Sequence, residues 1–350
     1  MYMKNLIIAI AALMMLCMSS CKDAISGTMK QDASGTPYDL YLVMDEALKE
    51  TDLNDSLNAV FEFPMSYMPN SDAYFRVRHL NPDNFASPFI RTVANVVIVD
   101  IAPDNAEQPV ITLERDRYAN NQVIMRMHAK SIESLSQYLS EVQEQLREVF
   151  VKNEIKRRIN VLEEDHQTRQ QQRLIEKLDI SMLIPLPMAL TCVPQDSTSF
   201  YWITDGFEEK TSYLVAYSIP YTDQNVFSLE GAVAVRDSVM GANITGGAEG
   251  EHHMETVKQI VLPEYRALNI GGNYVGELTG MWRMPGEIMA GPFICHIRLD
   301  EIRKRVIFVE GFVYAPKVED KRQMIRNLEA TLYTLKLPSD NMIPEIEVTL

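Results

Sequence analysis

The sequence contains no apolar run as long as the roughly 20 residues that a membrane-spanning helix needs. It also has few cysteines, and none of them forms a CxxC motif or combines with histidine at a zinc-binding spacing. The GxSxG motif of many hydrolases and the P-loop of nucleotide-binding proteins are absent as well. A catalytic role therefore has no motif to support it, although catalytic groups that are distant in sequence can still meet in a fold. No cofactor is indicated.

Positive charge is scarce relative to negative charge. The chain of 350 residues has 33 lysines and arginines against 48 aspartates and glutamates, and its formal net charge is −15. Such a surface repels phosphate backbones and anionic lipid headgroups, so a nucleic-acid partner is not expected. Hydrophobic residues make up 46% of the chain, which is ordinary for a globular protein.

The amino terminus has the layout of an export signal. Lys4 precedes thirteen uncharged residues (6–18), and two small serines follow. The stretch MSSC at 18–21 resembles the lipobox of bacterial lipoproteins, in which the chain is cut before the cysteine and lipid is attached to its thiol. We therefore predict a lipoprotein signal peptide at 1–20 and a lipid anchor on Cys21, since two or more acyl chains hold a protein stably at a membrane. The alternative is an ordinary signal peptide with incidental cysteines.

Glycine is missing from a long part of the chain. None occurs between Gly35 and Gly206, whereas thirteen of the fifteen glycines lie from Gly206 to Gly311. So sharp a change in composition indicates two differently built halves, and the small polar residues after Cys21 suit a flexible tether. The predicted order is signal peptide 1–20, tether 21–36, amino-terminal lobe 37–184, glycine-richer carboxy-terminal lobe 200–337 and tail 338–350.

Both halves show strand patterns followed by a helical pattern. In the first half, β-branched runs such as YDLYLVMD at 38–45 precede a stretch without proline or glycine at 131–184. In the second half, runs such as RVIFVEGFVYA precede a helical pattern at 319–335. The peptides ASPFI and AGPFI recur at similar places in the two halves, which favours a divergent duplication. The predicted fold class is α+β, with two lobes that are each a mainly antiparallel sheet covered by helices, and with a long helical segment near 131–180.

An apolar seam runs along the first part of the predicted long helix. Its side chains are spaced 3, 4, 3, 4 and 3 residues apart, and they are Ile132, Leu135, Leu139, Val142, Leu146 and Val149. Heptad spacing is typical of a coiled coil, which would make the seam a surface for a partner. Fewer than three clean heptads favour the other interpretation, in which the helix packs on its own sheet.

The segment GGAEGEHHMET at 246–256 crowds carboxylates and imidazoles together. Such groups bind zinc or manganese, so the candidate metal ligands are Glu249, Glu251, His252, His253 and Glu255. Adjacent histidines on an extended chain point in opposite directions, however, and a solvated loop is the favoured interpretation.

Two tryptophans and two cysteines are further candidates. Trp202 and Trp282 offer aromatic faces that suit a sugar or another small ligand. In an oxidising compartment Cys192 and Cys295 are able to form a disulfide, but two buried free cysteines are at least as compatible with the sequence.

The lipobox-like start, the acidic body and two carboxy-terminal stretches, GMWRMPGEIMAGPF and VIFVEGFVYAPKVEDKRQMIRNLEATLYTL, together resemble a family of Bacteroidota lipoproteins catalogued as domain of unknown function 4837. The resemblance covers nearly the whole mature chain. It implies a Gram-negative envelope lipoprotein carrying fatty acids such as palmitate, and it brings no catalytic or binding residues. In that phylum an acidic run after the anchor directs lipoproteins to the cell surface. Here Lys22 and a lone Asp23 follow Cys21, so an outer-membrane position facing the periplasm is favoured over surface exposure.

Three functions remain open from the sequence. The leading hypothesis is a non-enzymatic lipoprotein that is held to the membrane through Cys21 and works by contact with another envelope protein. The alternative is a receptor for a small molecule or glycan, and a hydrolase is the third.

Overall fold

The computed structural model describes residues 30–68, 70, 72–192 and 200–342, without the side chains of 341 and 342. The predicted signal peptide and Cys21 lie outside these residues. Within the part of the chain that is described, no helix is both long enough and apolar enough to cross a membrane. The architecture is α+β, with two sheets and a long helix, as predicted.

The first lobe is built on a five-stranded sheet in the order β2-β1-β3-β5-β4. Its strands are β1 (Asp39–Val43), β2 (Arg76–Leu80), β3 (Asn95–Ile101), β4 (Val110–Arg115) and β5 (Val123–Ala129). Three of its four pairings are parallel, and only β4 runs antiparallel to its neighbour. The mainly antiparallel arrangement predicted for this lobe is therefore corrected. The physical reason is that helix α1 (Asp52–Phe61) connects β1 to β2, and such a crossover returns the chain in the same direction.

One face of this sheet is covered by α1 and by α3 (Ile132–Glu164). The single-turn helix α2 (Pro82–Phe85) precedes α3 in the chain. Ser131 begins α3 by accepting a hydrogen bond from the backbone N–H of Ser134 at 3.2 Å. The apolar seam packs inside the lobe, where its buried members Leu135, Leu139 and Leu146 belong to the same core as the apolar face of α1. The seam is therefore filled from within the chain, and it is not a coiled-coil surface.

The second lobe is built on an eight-stranded antiparallel sheet in the order β11-β13-β14-β15-β8-β7-β6, with β12 paired to β13. Its strands are β6 (Leu190–Thr191), β7 (Phe200–Thr204), β8 (Thr211–Pro220), β11 (Glu255–Thr256), β12 (Glu264–Ile270), β13 (Asn273–Met284), β14 (Met289–Asp300) and β15 (Arg305–Tyr314). A separate ribbon pairs β9 (Thr245–Gly246) with β10 (His252–His253). The antiparallel prediction is confirmed for this lobe. Because the two sheets differ in strand direction and strand order, they do not support a duplication.

Helices cover both faces of the second sheet. Helix α5 (Leu229–Asn243) packs on one face, and α4 (Thr168–Leu178) and α6 (Arg322–Leu332) pack on the other. Leu174 and Leu178 of α4 thus belong to the core of the second sheet, although the sequence places them within the segment predicted as the first lobe. The boundary at residue 184 stays a prediction.

Helix α6 lies between the lobes. Ile325, Leu328 and Leu332 face the second sheet, whereas Ala330 belongs to the core of the first lobe. The backbone N–H of Lys321, at the start of α6, donates to the side chain of Asp72 from the first lobe at 3.0 Å. The first lobe therefore holds the start and one face of α6, the second sheet packs on another face, and the helix positions the cleft described below.

Gly311 permits the close approach of α6 to strand β15. A Cβ atom added at this glycine would lie 2.6 Å from Cβ of Leu328, which is closer than real Cβ contacts. We expect Gly311→Ala to lower the free energy of unfolding of the full chain by about 1–3 kcal/mol, because the helix must shift away from the sheet. Urea denaturation measures this change.

The matched control is Gly246→Ala, where the added Cβ would meet its nearest atoms at 3.4 Å, an ordinary contact. Its free energy of unfolding should stay close to that of the wild type. Equal stability of the two variants would show that the close packing of α6 on β15 does not depend on glycine at position 311.

Candidate functional site

A cleft lies between α3 of the first lobe and α6 of the second. It consists of one cavity of about 230 Å³ and another of about 250 Å³, and three residues line both: Arg158, Gln323 and Asn327. Arg158 projects from α3, while Gln323 and Asn327 stand one turn apart on α6. The two lobes thus contribute facing walls to one site.

Arg158 is a cation without an ion-pair partner among the residues that the structure describes. Its Nε atom is buried and has no hydrogen-bond partner, and no described carboxylate lies within ion-pair distance of its guanidinium. Burial lowers its pKa, and the hydroxyl of Tyr38 acts in the opposite direction. The preceding residue is different, because Arg157 donates to Glu154 at 2.6 Å and to the carbonyl of Ala33 at 3.2 Å. A partly desolvated charge that lacks a partner is costly, so Arg158 needs an explanation.

Tyr38 forms the inner wall of the first cavity. It is 2% exposed, and its buried hydroxyl has no hydrogen-bond partner among the described residues. Burial raises its pKa above the ordinary value. Its backbone φ of 62° lies in the left-handed region, which bulky side chains rarely adopt. The carbonyl of Tyr38 accepts from the N–H of Arg76 at 2.9 Å, so the surrounding structure holds this strained conformation.

Behind the cleft, α6 carries a buried ion pair. Arg326 donates to Glu329 one turn further on, and neither residue is more than 2% exposed. The guanidinium of Arg326 lies 5.2 Å from the ring centroids of both Tyr38 and Tyr74 of the first lobe. This ion pair therefore faces the first lobe and fixes which side of α6 is turned toward the cleft.

A second buried network links the second sheet to α3. The ring Nε2–H of His296 donates to Glu277 at 3.1 Å, and Glu277 also accepts from Arg266. Arg266 reaches Glu148 on α3 at 3.3 Å. Burial alone would raise the pKa of Glu277, but His296 and Arg266 outweigh it and lower the pKa to about 2. The carboxyl is thus ionised at neutral pH and holds the lobes together.

The cleft offers groups that can bind a ligand through hydrogen bonds. Its groups include a guanidinium, which only donates hydrogen bonds, and a phenol and two side-chain amides, which both donate and accept. Among the described residues, no histidine ring is hydrogen-bonded to a serine hydroxyl or a cysteine thiol. Groups of three or more metal-ligating side chains are also not found in this part of the chain. The arrangement suits an acceptor-bearing ligand.

The predicted metal ligands do not come together. Glu251 accepts from the backbone N–H of Glu249, and Glu255 pairs with Arg283. The ring Nδ1 of His252 lies 3.2 Å from Glu287, whereas that of His253 lies 2.8 Å from the carbonyl of Gly241 on α5. The two histidines point in opposite directions along β10, as expected for an extended chain.

The tryptophans and cysteines lie away from the cleft. Trp282 is buried and donates to the carbonyl of Val313 at 3.1 Å, and Trp202 packs partly buried against the core under α5. Cys295 is buried in β14, and Cys192 follows β6; both are free thiols. Three strands lie between these positions in the sheet, so the pair is too far apart for a disulfide.

Sequence reasoning missed Tyr38, Arg158, Gln323 and Asn327. One signal for Arg158 was present, because it lies three residues after Ile155 and four before Leu162, both of which are buried. A charged residue on the buried stripe of a helix indicates either a pair or a site. The other three carry no local pattern.

The fold and the cleft define a two-lobed α+β protein with a polar site between its lobes. Residues 167–334 match the family described as Domain of unknown function (DUF4837), which confirms the predicted resemblance for this part of the chain. Residues 33–163 match a second family, described as Domain of unknown function (DUF8532), so the first family does not extend over nearly the whole mature chain as predicted.

None of the curated proteins compared with the chain matches its sequence. Among solved structures, the chain is similar to a mutant of the protein Mog1 and to the Ran-binding protein Mog1p of Saccharomyces cerevisiae. Each is 9% identical with a TM-score of 0.29, and the matches cover 45% of this chain and 90% and 89% of those chains. Similarity this weak carries no functional argument.

The buried network at Glu277 predicts a pH dependence. Because its folded-state pKa of about 2 is below the ordinary 4.5, its ionised form adds stability that is present above pH 4.5 and is lost as the pH falls toward 2. We expect Glu277→Gln to be less stable at pH 7 by about 3–5 kcal/mol, because it breaks a buried pair, and to lose less stability on acidification.

Urea unfolding at a series of pH values measures both effects. Glu249→Gln, which removes an exposed carboxylate, should follow the wild type throughout. If the free energy of unfolding changed with pH in the same way in the wild type and in Glu277→Gln, the stabilising role of the ionised Glu277 would be contradicted.

Proposed function

We propose that this chain is a lipid-anchored protein of the cell envelope that binds a small molecule in the cleft between its lobes and does not catalyse a reaction. The observation that carries the binding function is the guanidinium of Arg158, which has no ion-pair partner among the described residues. It shares the cleft with the hydroxyl of Tyr38, which likewise has no described hydrogen-bond partner. The Nε atom of Arg158 and the hydroxyl of Tyr38 lose hydration in the folded chain without gaining a partner among the described residues, and a ligand would supply that partner.

The anchoring part of the proposal is supported by sequence. The uncharged run at 6–18 and the lipobox-like MSSC at 18–21 place a cysteine where lipid is attached in bacterial lipoproteins. The resemblance to Bacteroidota lipoproteins supports an outer-membrane position facing the periplasm. The excess of negative charge would hold the tethered body away from anionic headgroups.

Contact with another envelope protein is a second candidate function. Large apolar side chains are exposed in the loop before β12 and in the hairpin between β13 and β14. Ile260 is 93% exposed and Leu262 63%, while Ile288 in the hairpin is 99% exposed. Such side chains favour a protein contact at this edge of the second sheet.

Lipid attachment at Cys21 is tested by metabolic labelling. We expect the wild-type chain to incorporate labelled palmitate and to sediment with membranes, and Cys21→Ala to do neither. Cys17→Ala is the matched control, because that cysteine lies in the peptide to be removed. Continued labelling of Cys21→Ala would refute the anchor.

Binding in the cleft is tested on the full chain isolated in detergent from its own cells. We expect native mass spectrometry to show a small molecule that is released from the wild type on denaturation and is missing from Arg158→Gln. Lys156→Gln should retain it, because it removes an exposed positive charge two residues away on α3. A cleft that is empty in all three proteins, or a small molecule retained equally by all three, would contradict the proposal.

A further inference from the structure

We propose that the ligand of the cleft is a small organic acid with a single carboxylate and an apolar body, and that Arg158 and Tyr38 bind the carboxylate. This inference rests on the proposed binding function and names the chemical class of the ligand. Three properties of the two cavities support it: their hydrogen-bond donors, their charges and their apolar wall.

The donors match a carboxylate. A guanidinium presents a planar fork of N–H groups that fits two carboxylate oxygens, and that of Arg158 has no competing anion among the described residues. The hydroxyl of Tyr38 is a further donor without an acceptor. Gln323 and Asn327 line both cavities, and their amides make no hydrogen bond with a described side chain. One group that only accepts hydrogen bonds would satisfy the guanidinium and the phenol together.

The charges of the cavities disfavour a ligand with more than one negative charge. The cavity beside Tyr38 is also lined by three carboxylates, Asp32, Glu154 and Glu164. Glu154 is neutralised by Arg157, but the other two would repel a second negative charge on the ligand. In the other cavity Lys210 and Asp205 offset each other. Because Arg158 is the one cation at the shared wall that has no ion pair among the described residues, a dianionic phosphate fits less well than a carboxylate.

The rest of the ligand meets an apolar wall. The second cavity is lined by Pro185, Pro187, Met188, Met324, Leu328 and Phe207. Its volume of about 250 Å³ lies just below the range of about 300–1,000 Å³ that is usual for drug-sized ligands. A short aliphatic or single-ring body fits this space while its carboxylate reaches Arg158 at the shared wall.

The strained backbone of Tyr38 supports a binding role for this residue. A bulky residue at φ 62° costs energy and persists only where the surrounding structure enforces it. The strain places the phenol in the wall of the cleft with its hydroxyl unpaired. A position selected for stability alone would favour glycine or asparagine in this conformation.

Isothermal titration of the full chain in lipid nanodiscs tests the class of ligand with three probes that share a phenyl ring: phenylacetate, phenylacetamide and phenyl phosphate. We expect phenylacetate to bind at least about tenfold more tightly than either of the others, since a charge-assisted pair exceeds a neutral hydrogen bond. Arg158→Gln should weaken phenylacetate binding about tenfold or more, Arg158→Lys should weaken it less, and Tyr38→Phe should weaken it severalfold. Lys156→Gln should leave it unchanged.

Thermal unfolding of the same proteins separates loss of a ligand contact from loss of the fold. Without a probe, Arg158→Gln and Tyr38→Phe should unfold at or above the wild-type temperature, because each removes a buried group that has no partner. A lower unfolding temperature in both would assign them a structural role and overturn the inference.

The remaining outcomes distinguish the two proposals. Equal binding of the amide, or tighter binding of phenyl phosphate, with dependence on Arg158 would overturn the carboxylate class and leave the cleft as a binding site. Absence of Arg158-dependent binding by any probe, together with a cleft that is empty in chain isolated from cells, would overturn both.

Discussion

The ion pair between Arg326 and Glu329 is the constraint on which the arrangement of the two lobes depends. Both residues are almost completely buried on one helix, and a buried pair adds little to stability but is costly to break. Helix α6 can therefore take one rotational setting, with the pair under the tyrosines of the first lobe and the leucines on the second sheet. Gln323 and Asn327 reach the cleft because that setting is fixed. The site thus follows from the packing of a single helix.

Features that depend on neighbouring residues, such as the buried face of a helix, follow from patterns in the sequence. The spacing of the apolar residues in α1 agrees with their burial, since Leu53, Leu57, Val60 and Phe61 recur at helical spacing and are all buried. The strand patterns of the second half predict a mainly antiparallel sheet, and the second sheet is antiparallel. The parallel direction of the first sheet does not follow from the strand patterns. In this sheet β1 lies between β2 and β3, so β1 pairs with β3, which is not its neighbour in sequence. Neither spacing nor composition shows such an order, although the helix between β1 and β2 was a hint of a crossover.

The site was harder to predict than the fold because its residues are far apart in sequence. The segment at 246–256 crowds charged residues into eleven positions, yet Glu251, His252, His253 and Glu255 each contact a separate neighbouring group. The cleft instead gathers residues from 38, 158, 323 and 327, none of which is unusual in its local context. The tryptophans are candidates because of their aromatic faces, but Trp282 is buried in the core of the second lobe. What distinguishes Arg158 is the lack of a partner, which only a structure shows.

The two family matches meet between residues 163 and 167, in the short link between α3 and α4. A border between families suggests parts that evolution exchanges freely, as with independent modules. Here Asp72 of the first part holds the start of α6 in the second, and Arg266 of the second part reaches back to Glu148 of the first. Recombination at this border would combine α6 with a first lobe that lacks Asp72, and it would combine Arg266 with an α3 that lacks Glu148. The two segments should accordingly be inherited as a pair, and a substitution on one side of the cleft selects for a matching change on the other.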